Sequence, residues 1–457
     1  MISKERIRSL NHQPILADRP YVLYWMQSAQ RAACNHALEY ALGQANLLRK
    51  PLLVYFGVTE NFPEANERHY RFMLEGLKET QADLARRGIR LLALRVSPEV
   101  GALALSGSAA MAVTDRGYLR VERAWRDALA GGADCLVTQV ETNVIVPVEA
   151  ASGKEEYAAA TLRPRIRRLI GLFDDAPDEE EAQVPPLGLS LPFEALDLTD
   201  IDAALGLLNI DRSVRPAGMR GGASEGKRLL DTFIRDKLPR YAGQANDPGE
   251  DLSSGLSPYL HFGQISPLEV IAALRDESGE NRDAFVEELT VRRELSMNFT
   301  QYNPGYDTYE SLPAWARATL EKHSEDTRPY LYTREELDGA RTHDPYWNAA
   351  QREMVLTGRM HGYMRMYWGK KLLEWGRTPR EAFYTALSLN NRYCLDGRDP
   401  NSFAGIAWCF GKHDRPWGER NIFGNVRYMN AKGLERKFDM RRYLERIKRL
   451  EEASGRA

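Results

Sequence analysis

The sequence predicts an α/β N-terminal domain followed by a mostly α-helical C-terminal domain, and three observations lead to this fold class. The 457 residues exceed what one ordinary hydrophobic core accommodates. Short apolar segments alternate with amphipathic segments from Tyr21 to Val146, whereas strand-like segments nearly vanish after Gly226. The acidic stretch Asp174–Glu181 lies between the two patterns and is typical of a linker. We expect an α/β domain at 1–150, a linker at 151–225 and a helical domain at 226–457.

The N-terminal alternation predicts a parallel, Rossmann-like sheet. Helices are expected at Ala29–Leu48, Glu67–Arg87 and Leu119–Leu129. Strand–helix–strand units of this kind form right-handed crossovers, and their sheets bind ligands at the carboxyl ends of the strands. No Gly-x-Gly-x-x-Gly follows any strand, which disfavours a conventional dinucleotide site. The predicted strands are Tyr21–Met26, Pro51–Phe56, Ile89–Val96, Ala110–Thr114 and Cys135–Val140.

Helix starts are marked twice in the C-terminal half by a capping box with proline at the first helical position. These are Ser266-Pro267-Leu268-Glu269 and Thr378-Pro379-Arg380-Glu381, and an apolar-periodic segment follows each. The second half is therefore predicted to be mostly helical.

Composition excludes several classes of protein. The net charge of −2 gives no global argument for a nucleic-acid partner. No apolar stretch is long enough to span a membrane, and no apolar segment follows the polar Met1–Asn11 as a signal peptide requires. The four cysteines are widely spaced, which argues against a disulfide scaffold and a cysteine zinc site. We expect a cytoplasmic monomer with no metal and no membrane contact.

Several motifs in the helical half carry the candidate chemistry. The loop Asp251–Gly263 contains Ser253, Ser254, Gly255, Leu256 and Ser257, whose hydroxyls and unhindered N–H groups are the components of a phosphate cradle. Alone this loop is a weak signal, because Ser/Gly loops mostly form turns. The other motifs follow in the order Glu288–Leu295, Met360–Trp368, Leu395–Asn401 and Gly405–Trp408.

This ordered set resembles the photolyase/cryptochrome family, and specifically the class II cyclobutane pyrimidine dimer photolyases. The resemblance extends from Tyr21–Gln27 to Gly411–Trp417, which is nearly the whole chain. It implies an antenna α/β domain and a helical catalytic domain that binds FAD. It also implies a light-dependent lyase, in which excited reduced FAD donates an electron to a pyrimidine dimer in DNA and splits it. An antenna chromophore is expected in the α/β domain, but no residue pattern distinguishes a deazaflavin from a folate.

The resemblance assigns the FAD contacts residue by residue. It implies that the serine-rich loop holds the diphosphate and that Tyr241 packs on the cofactor. Arg365 and Asp396 match a salt bridge beside the central flavin ring. An asparagine is expected near the ring nitrogen that is protonated on reduction. Asn390 and Asn391 are both available, and we favour Asn390.

Substrate contacts follow from the same resemblance. Glu288 matches the carboxyl group that donates a hydrogen bond to a thymine carbonyl of a flipped-out dimer, although its spacing also suits a surface pair with Arg292. Met366 and Trp408 match the walls of the dimer pocket, and simple core packing is the alternative for both. Class I members carry a tryptophan where this chain has Val291, which favours class II and leaves the second wall unassigned.

Tryptophans provide a second electron path in the class II family, from solvent to the flavin. Trp368 and Trp375 lie seven residues apart on a predicted helix, so they share a face about 10 Å apart along its axis. Trp347 is expected to approach from a neighbouring segment. The alternative for all three is aromatic core packing.

DNA contacts are expected in the last part of the chain, where Lys and Arg outnumber Asp and Glu nearly twofold from Lys412 to Ala457. Lys412 and Arg415 are the candidates for contacts with the backbone of UV-damaged DNA because they follow Trp408 closely. The basic helix Arg441–Arg449 suits a solvated face equally well.

Three other functions stay open at this level. A cryptochrome would share the FAD pocket and signal to a partner, but Glu288, Met366 and Trp408 together favour repair. A six-four photolyase would need a histidine proton donor, and the eight histidines form no pair in these motifs. An α/β nucleotide-binding protein fused to a helical interaction domain is the third alternative.

Overall fold

A six-stranded sheet forms the N-terminal unit in the computed structural model, which describes residues 2–188 and 193–455. Its spatial order is β1–β6–β5–β2–β3–β4, with β1 antiparallel to β6 and the other pairs parallel. The predicted fold class, a parallel α/β sheet followed by a helical remainder, is confirmed. The strands are β1 (Ile7–Ser9), β2 (Tyr21–Trp25), β3 (Leu52–Gly57), β4 (Arg90–Leu94), β5 (Ala109–Asp115) and β6 (Leu136–Val140).

Helices cover both faces of the sheet, which explains why β2, β3 and β5 are buried along their whole length and read as continuous apolar runs. Apolar side chains that alternate along each strand enter two separate cores, one on each face. The covering helices are α1 (His36–Leu48), α2 (Glu67–Arg86), α3 (Pro98–Ser106) and α4 (Arg120–Gly132).

The first helix begins at His36, and its predicted start at Ala29 is wrong. The carboxylate of Asp115, at the end of β5, accepts the backbone N–H groups of Gln27, Ser28 and Ala29 at 2.6–2.8 Å. Because these N–H groups bond to Asp115, the segment forms a loop at the carboxyl ends of the strands. The helix begins only after Asn35, whose side chain caps it. Strand β1 and helix α3 were not predicted.

The chain between the two units contains α5 (Val148–Ala151), α6 (Ala159–Leu169) and α7 (Ile201–Leu207). Part of it returns along the sheet: the N–H of Leu196 donates to the Ala93 carbonyl, and that of Arg95 to the Glu194 carbonyl, both at 2.9 Å. The boundaries at 150 and 225 stay a prediction.

The rest of the described chain contains helices and loops without a strand. Two of the helices contain a π-helical turn, at Phe233–Lys237 and at Glu288–Arg292. Ser266 and Glu269 form the predicted capping box. Of the box predicted at Thr378, the structure shows the bond from the Glu381 N–H to the Thr378 hydroxyl. These helices are α8 (Ala223–Thr232), α9 (Tyr241–Gln244), α10 (Ser257–His261), α11 (Pro267–Ala273), α12 (Glu280–Glu287), α13 (Arg293–Tyr302), α14 (Ala314–Lys322), α15 (Arg334–Asp338), α16 (Pro345–Thr357), α17 (Gly362–Trp375), α18 (Pro379–Tyr393), α19 (Pro400–Cys409), α20 (Ala431–Lys437) and α21 (Met440–Ala453).

Buried polar groups join the two units. Arg31 is 1% exposed and donates to the Gly263 carbonyl at 2.9 Å, while Arg68 donates to the Tyr393 carbonyl at 2.7 Å. The carboxylate of Glu294, on α13, accepts the N–H groups of Ile145 at 2.5 Å and Val146 at 3.3 Å. Because a buried donor or acceptor without its partner is costly, these bonds hold the helical unit against the sheet.

Burial raises the pKa of Glu294 from 4.5 to about 7, so stability should depend on pH. The folded state then holds a proton that the unfolded chain releases between these values, and stability falls as pH rises through them. The difference is about 3 kcal/mol. We expect urea unfolding at about pH 5 and about pH 8 to show this loss in the wild type and much less of it in Glu294→Gln. An equal loss in both proteins would contradict the assignment.

Candidate active site

The serine-rich loop that precedes α10 lies beside two basic side chains. Arg359 donates to the Ser253 hydroxyl at 2.6 Å, and Lys237 donates to the Ser253 carbonyl at 3.0 Å. Gly255 has a φ of +79°, and a Cβ there would lie 3.1 Å from the Arg359 guanidinium. The loop therefore combines hydroxyls, a backbone that needs glycine and two cations, as a diphosphate site requires. Sequence reasoning found the loop and missed both cations, which lie 16 and 106 residues from Ser253 along the chain.

Arg365 and Asp396 form the predicted pair. A guanidinium Nη2 of Arg365 lies 3.2 Å from Asp396 Oδ1 and 3.7 Å from the Cys394 sulfur. The Asp396 carboxylate raises the pKa of Arg365 against the opposing effect of burial, so the guanidinium stays charged. The buried Nε of Arg365 has no hydrogen-bond partner in the described chain, which leaves one donor for a bound group.

The two candidate asparagines differ in whether the side-chain amide already has all its hydrogen-bond partners within the protein. The amide of Asn391 is satisfied within the protein, because it donates to Glu64 at 2.6 Å and accepts from the Arg398 N–H at 2.9 Å. Asn390 donates to the Ser402 hydroxyl at 2.7 Å, but its buried Oδ1 has no partner among the described residues. An unpaired buried carbonyl of this kind calls for a donor from a ligand.

Tyr241 lies in an aromatic group with Phe233 and Phe285, and each of these rings is 5.5 Å from it, edge to face. Loss of hydration raises the pKa of Tyr241, and the charge of Glu288 contributes in the same direction. The tyrosine predicted to pack on the cofactor therefore lies close to the glutamate predicted to contact the substrate.

Glu288 begins the π-helical turn between α12 and α13. Its side chain is solvent-accessible, yet the surrounding protein removes part of its hydration and raises its pKa, against the opposing charge of Arg292. No salt bridge joins the two side chains within the described residues; Arg292 instead lies over the Trp408 ring at 5.5 Å. A π-helical turn is frequent at functional sites, and here it separates the exposed carboxyl from the buried residues of α13.

Met366 and Trp408 line a common small cavity with Lys370, Arg427 and Met429. Both side chains are half-buried, and Met366 also packs against the hydrophobic core of the helical unit. Arg292 lies over the Trp408 ring but is not among the residues that line this cavity, and the second wall stays unassigned.

The three predicted electron-transfer tryptophans form one group of rings. Trp347 stacks on Trp368 with ring centres 6.2 Å apart, and it meets Trp375 edge to face at 5.5 Å. Trp347 therefore lies between the two tryptophans of α17. Its indole donates to the Trp368 carbonyl at 3.1 Å, and the Trp368 indole donates to Gln351 at 2.9 Å. These bonds fix the orientation of the rings.

The structure corrects the role expected for Lys412. Its ammonium is buried and bonded to Glu155, and it donates to the Ser311 carbonyl at 2.9 Å, so it is not free to bind a DNA phosphate. Arg415 is exposed, as expected, and its guanidinium lies 5.4 Å from the Trp417 ring. Arg427 lies on the same ring at 5.1 Å. Trp417 and Arg415 are exposed and Arg427 is half-buried, so these three side chains form a surface group that charge counting along the sequence did not identify.

A second cavity, the sheet-end cavity, lies at the carboxyl ends of β2 and β3, where a parallel sheet is expected to bind ligands. Its polar lining includes four side chains with a buried polar atom that lacks a partner within the described chain: Trp25, Gln27, Gln30 and Arg398. The remaining wall is mostly aromatic and apolar, with Phe56, Phe62, Tyr70, Trp125 and Phe262.

These residues fit FAD. Two cations and a glycine-dependent loop suit its diphosphate, and the unpaired Arg365 Nε and Asn390 Oδ1 suit a ring that both donates and accepts hydrogen bonds. Within residues 2–188 and 193–455, no group of three His, Cys, Asp or Glu is placed to hold a metal. The same described ranges contain no helix with the length and apolar character that crossing a membrane requires.

The fold is that of the photolyases and cryptochromes. A class III photolyase from Agrobacterium tumefaciens superposes with a TM-score of 0.71 at 18% identity, covering 94% of this chain and 86% of the other. A Synechocystis sp. PCC6803 cryptochrome superposes with a TM-score of 0.71 at 18% identity, covering 95% and 89%.

Sequence comparison identifies the family. The DNA photolyase family profile matches residues 22–185. A deoxyribodipyrimidine photo-lyase from Methanothermobacter thermautotrophicus is 51% identical over 98% of this chain and 99% of its own length. That of Potorous tridactylus is 38% identical over 97% of this chain and 85% of its own length. The chain belongs to the DNA photolyase family.

Proposed function

We propose that this protein is a light-dependent DNA repair lyase that splits cyclobutane pyrimidine dimers. The single observation that carries the proposal is the 51% identity, over 98% of this chain, to a deoxyribodipyrimidine photo-lyase. The closeness of Glu288 to Tyr241, and the cavity that Met366 shares with Trp408, support it. A cryptochrome needs an FAD site but not these substrate-contacting side chains.

When bound and reduced, FAD excited by blue light supplies the electron that opens the cyclobutane ring. The protein binds its diphosphate with the serine-rich loop, Arg359 and Lys237. Arg365, Asp396 and Asn390 hold the ring system, and the unpaired Oδ1 supports Asn390 over Asn391. Tyr241, held edge to face by Phe233 and Phe285, packs on the cofactor.

Substrate recognition needs an apolar wall and one polar donor. Met366 and Trp408 suit the methyl-bearing faces of a flipped-out dimer. The raised pKa of Glu288 favours the protonated carboxyl, which donates a hydrogen bond to a thymine carbonyl as negative charge builds on it. Trp417 with Arg415 and Arg427 would contact the DNA backbone beside the pocket.

We assign the chain to class II within this family. Val291 supports this assignment, because class I members carry tryptophan at the matching position. The order of rings Trp368, Trp347 and Trp375 also suits the tryptophan path expected of class II. All four cysteines are free and buried, which supports work in the reducing cytoplasm, and sedimentation would test the expected monomer.

The decisive experiment is repair under controlled light. The purified protein, with bound FAD identified by its spectrum and chemically reduced, should restore a dimer-containing oligonucleotide to intact thymines under blue light. The same mixture in the dark is the control. FAD binding without repair would move the assignment to a cryptochrome, and a protein that binds no flavin would contradict both.

We also propose that the sheet-end cavity binds a second, light-harvesting chromophore. Its aromatic wall suits a flat ring system, and the unpaired atoms of Trp25, Gln27, Gln30 and Arg398 offer both donors and an acceptor to the edge of that ring. A deazaflavin and a folate both stay candidates. Identification by mass of the chromophores extracted from the purified protein would decide between them.

Ala65→Trp should block this cavity, because Ala65 lies on its wall. We expect the second chromophore to fall to a small fraction of its wild-type content while FAD content and repair at wavelengths absorbed by FAD persist. Ala203→Trp is the matched control, because Ala203 is exposed on α7 away from the cavity. Absorption spectra and analysis of the extracted chromophores measure the content of FAD and of the second chromophore in each variant. An unchanged second chromophore in Ala65→Trp would place it elsewhere.

A further inference from the structure

A cavity of about 340 Å³ lies at the far end of the tryptophan series, and the proposed function gives it no role. Its wall includes Trp375, together with Tyr332, Arg334, Arg377, Glu381 and Thr385. We call it the Trp375 cavity. Its volume is within the range of about 300–1,000 Å³ that small-molecule sites occupy.

The cavity is the place where a molecule from solvent comes closest to the series. Trp347 and Trp368 are fully buried, and Trp375 is 3% exposed, so none of the three rings presents an open face on the surface. Trp375 lines the cavity, and the wall also includes Leu331, which is 55% exposed. A molecule in this cavity therefore lies against the last tryptophan of the series, whereas one on the outer surface is separated from it by protein.

The charge at the cavity favours an anion. Arg377 is exposed and makes no hydrogen bond or ion pair with any described residue. Arg334, the second cation on the wall, is held by Asp338 at 3.0 Å. Glu381 supplies one carboxylate, so the two arginines leave the wall with one net positive charge. The guanidinium of Arg377 offers several donors to an anionic group.

We propose that the Trp375 cavity binds a small organic anion of the enediolate class, which serves as the electron donor for the tryptophan series. This proposal rests on the proposed function, because Trp375 needs an electron only if light has drawn one along the series. One electron passes from the bound enediolate monoanion to the oxidised Trp375 indole, whose ring returns to its closed-shell state. The donor loses that electron and one proton to solvent, and leaves as a radical anion.

Binding is tested first in the dark, with ascorbate as the probe and the full chain with its FAD. The indole N–H resonance of Trp375, assigned by its loss in Trp375→Phe, should shift and saturate as ascorbate is added. Arg377→Gln should raise the half-saturating concentration about fivefold or more, as expected for loss of one charge-assisted contact at a surface site. Arg380→Gln is the matched control, since it removes the same charge three residues away, from a side chain that is outside the cavity wall and pairs with Glu310.

The use of the site is tested by flash photolysis. Decay of the tryptophan radical should saturate with ascorbate concentration in wild type and in Arg380→Gln, with the same half-saturation as in the dark. Radical decay that rises linearly in all three proteins, with no saturable shift of the resonance, overturns the proposal while leaving repair intact. Saturable dark binding without an effect on decay overturns the donor role. Failure of the chemically reduced enzyme to repair dimers counts against the proposed function, and the dark titration still decides whether the cavity binds the anion.

Discussion

Trp347→Phe should stop light-driven reduction of the flavin while leaving repair by previously reduced enzyme intact. Trp347 stacks on Trp368 and touches Trp375, so it connects two rings that are otherwise separated by about 10 Å along α17. Phenylalanine keeps an apolar ring in the core but is much harder to oxidise. We expect photoreduction to slow more than about tenfold, an apparent barrier increase of at least about 1.4 kcal/mol. Transient absorption at the flavin and tryptophan bands measures it.

Trp315→Phe is the control for Trp347→Phe, because Trp315 packs against the same core without a ring contact to the series. It should photoreduce like wild type. Because repair draws its electron from the flavin directly, chemically reduced Trp347→Phe should retain wild-type repair. Photoreduction at the wild-type rate in Trp347→Phe would contradict the electron-transfer role and leave this side chain a role in packing only.

Glu288→Ala should keep FAD and DNA affinity and lose most of its repair yield. The carboxyl is expected to donate a hydrogen bond that strengthens as charge builds on the dimer, so its loss affects chemistry more than binding. Removal of one such donor from an enzyme oxyanion site costs about 10²–10³ in rate. We expect about a tenfold loss here, because Glu288 is solvent-accessible and water can partly replace the donor.

The pH dependence of repair gives an independent check of Glu288. Loss of hydration raises its pKa, so the donating, protonated form persists to higher pH than for an ordinary glutamate. Repair yield should therefore fall as pH rises through this raised pKa, and Glu288→Gln, which keeps an N–H donor, should flatten the profile. Glu287→Gln is the control, since the neighbouring carboxylate pairs with Arg163 at 2.8 Å instead. A quantum yield in Glu288→Ala equal to wild type would remove the assigned role.

The fold could be predicted from sequence because its main signal is local. Buried parallel strands such as Leu52–Gly57 carry unbroken apolar runs, and helix caps such as Ser266 lie next to the helices they start. The first helix was placed seven residues too early because the Asp115 carboxylate, distant in sequence, holds the N–H groups of Gln27 to Ala29 in a loop.

Residues of the candidate site could be predicted from the sequence only where they belong to a recognisable motif. The serine loop and the Arg365–Asp396 pair were found by resemblance, but Arg359 beside that loop comes from a segment more than a hundred residues away. Lys412 was misjudged because its partner Glu155 is 257 residues distant, and no sequence pattern shows that pairing. The position of Trp347 between two tryptophans of one helix likewise depends on packing between α16 and α17.

The return of the interdomain chain along β4 has a consequence for how this protein can be divided. Strand β4 is the outer strand of the sheet on that side, and residues Glu194 and Leu196 satisfy backbone groups that would otherwise point into solvent. Exposed strand edges are templates for pairing with other chains, which leads to aggregation. An N-terminal fragment that stops at 150 would lack this cover and would present an open edge to every other copy. The solubility of the α/β unit therefore depends on a segment that sequence patterning assigns to no domain, and a soluble fragment has to include Glu194 and Leu196.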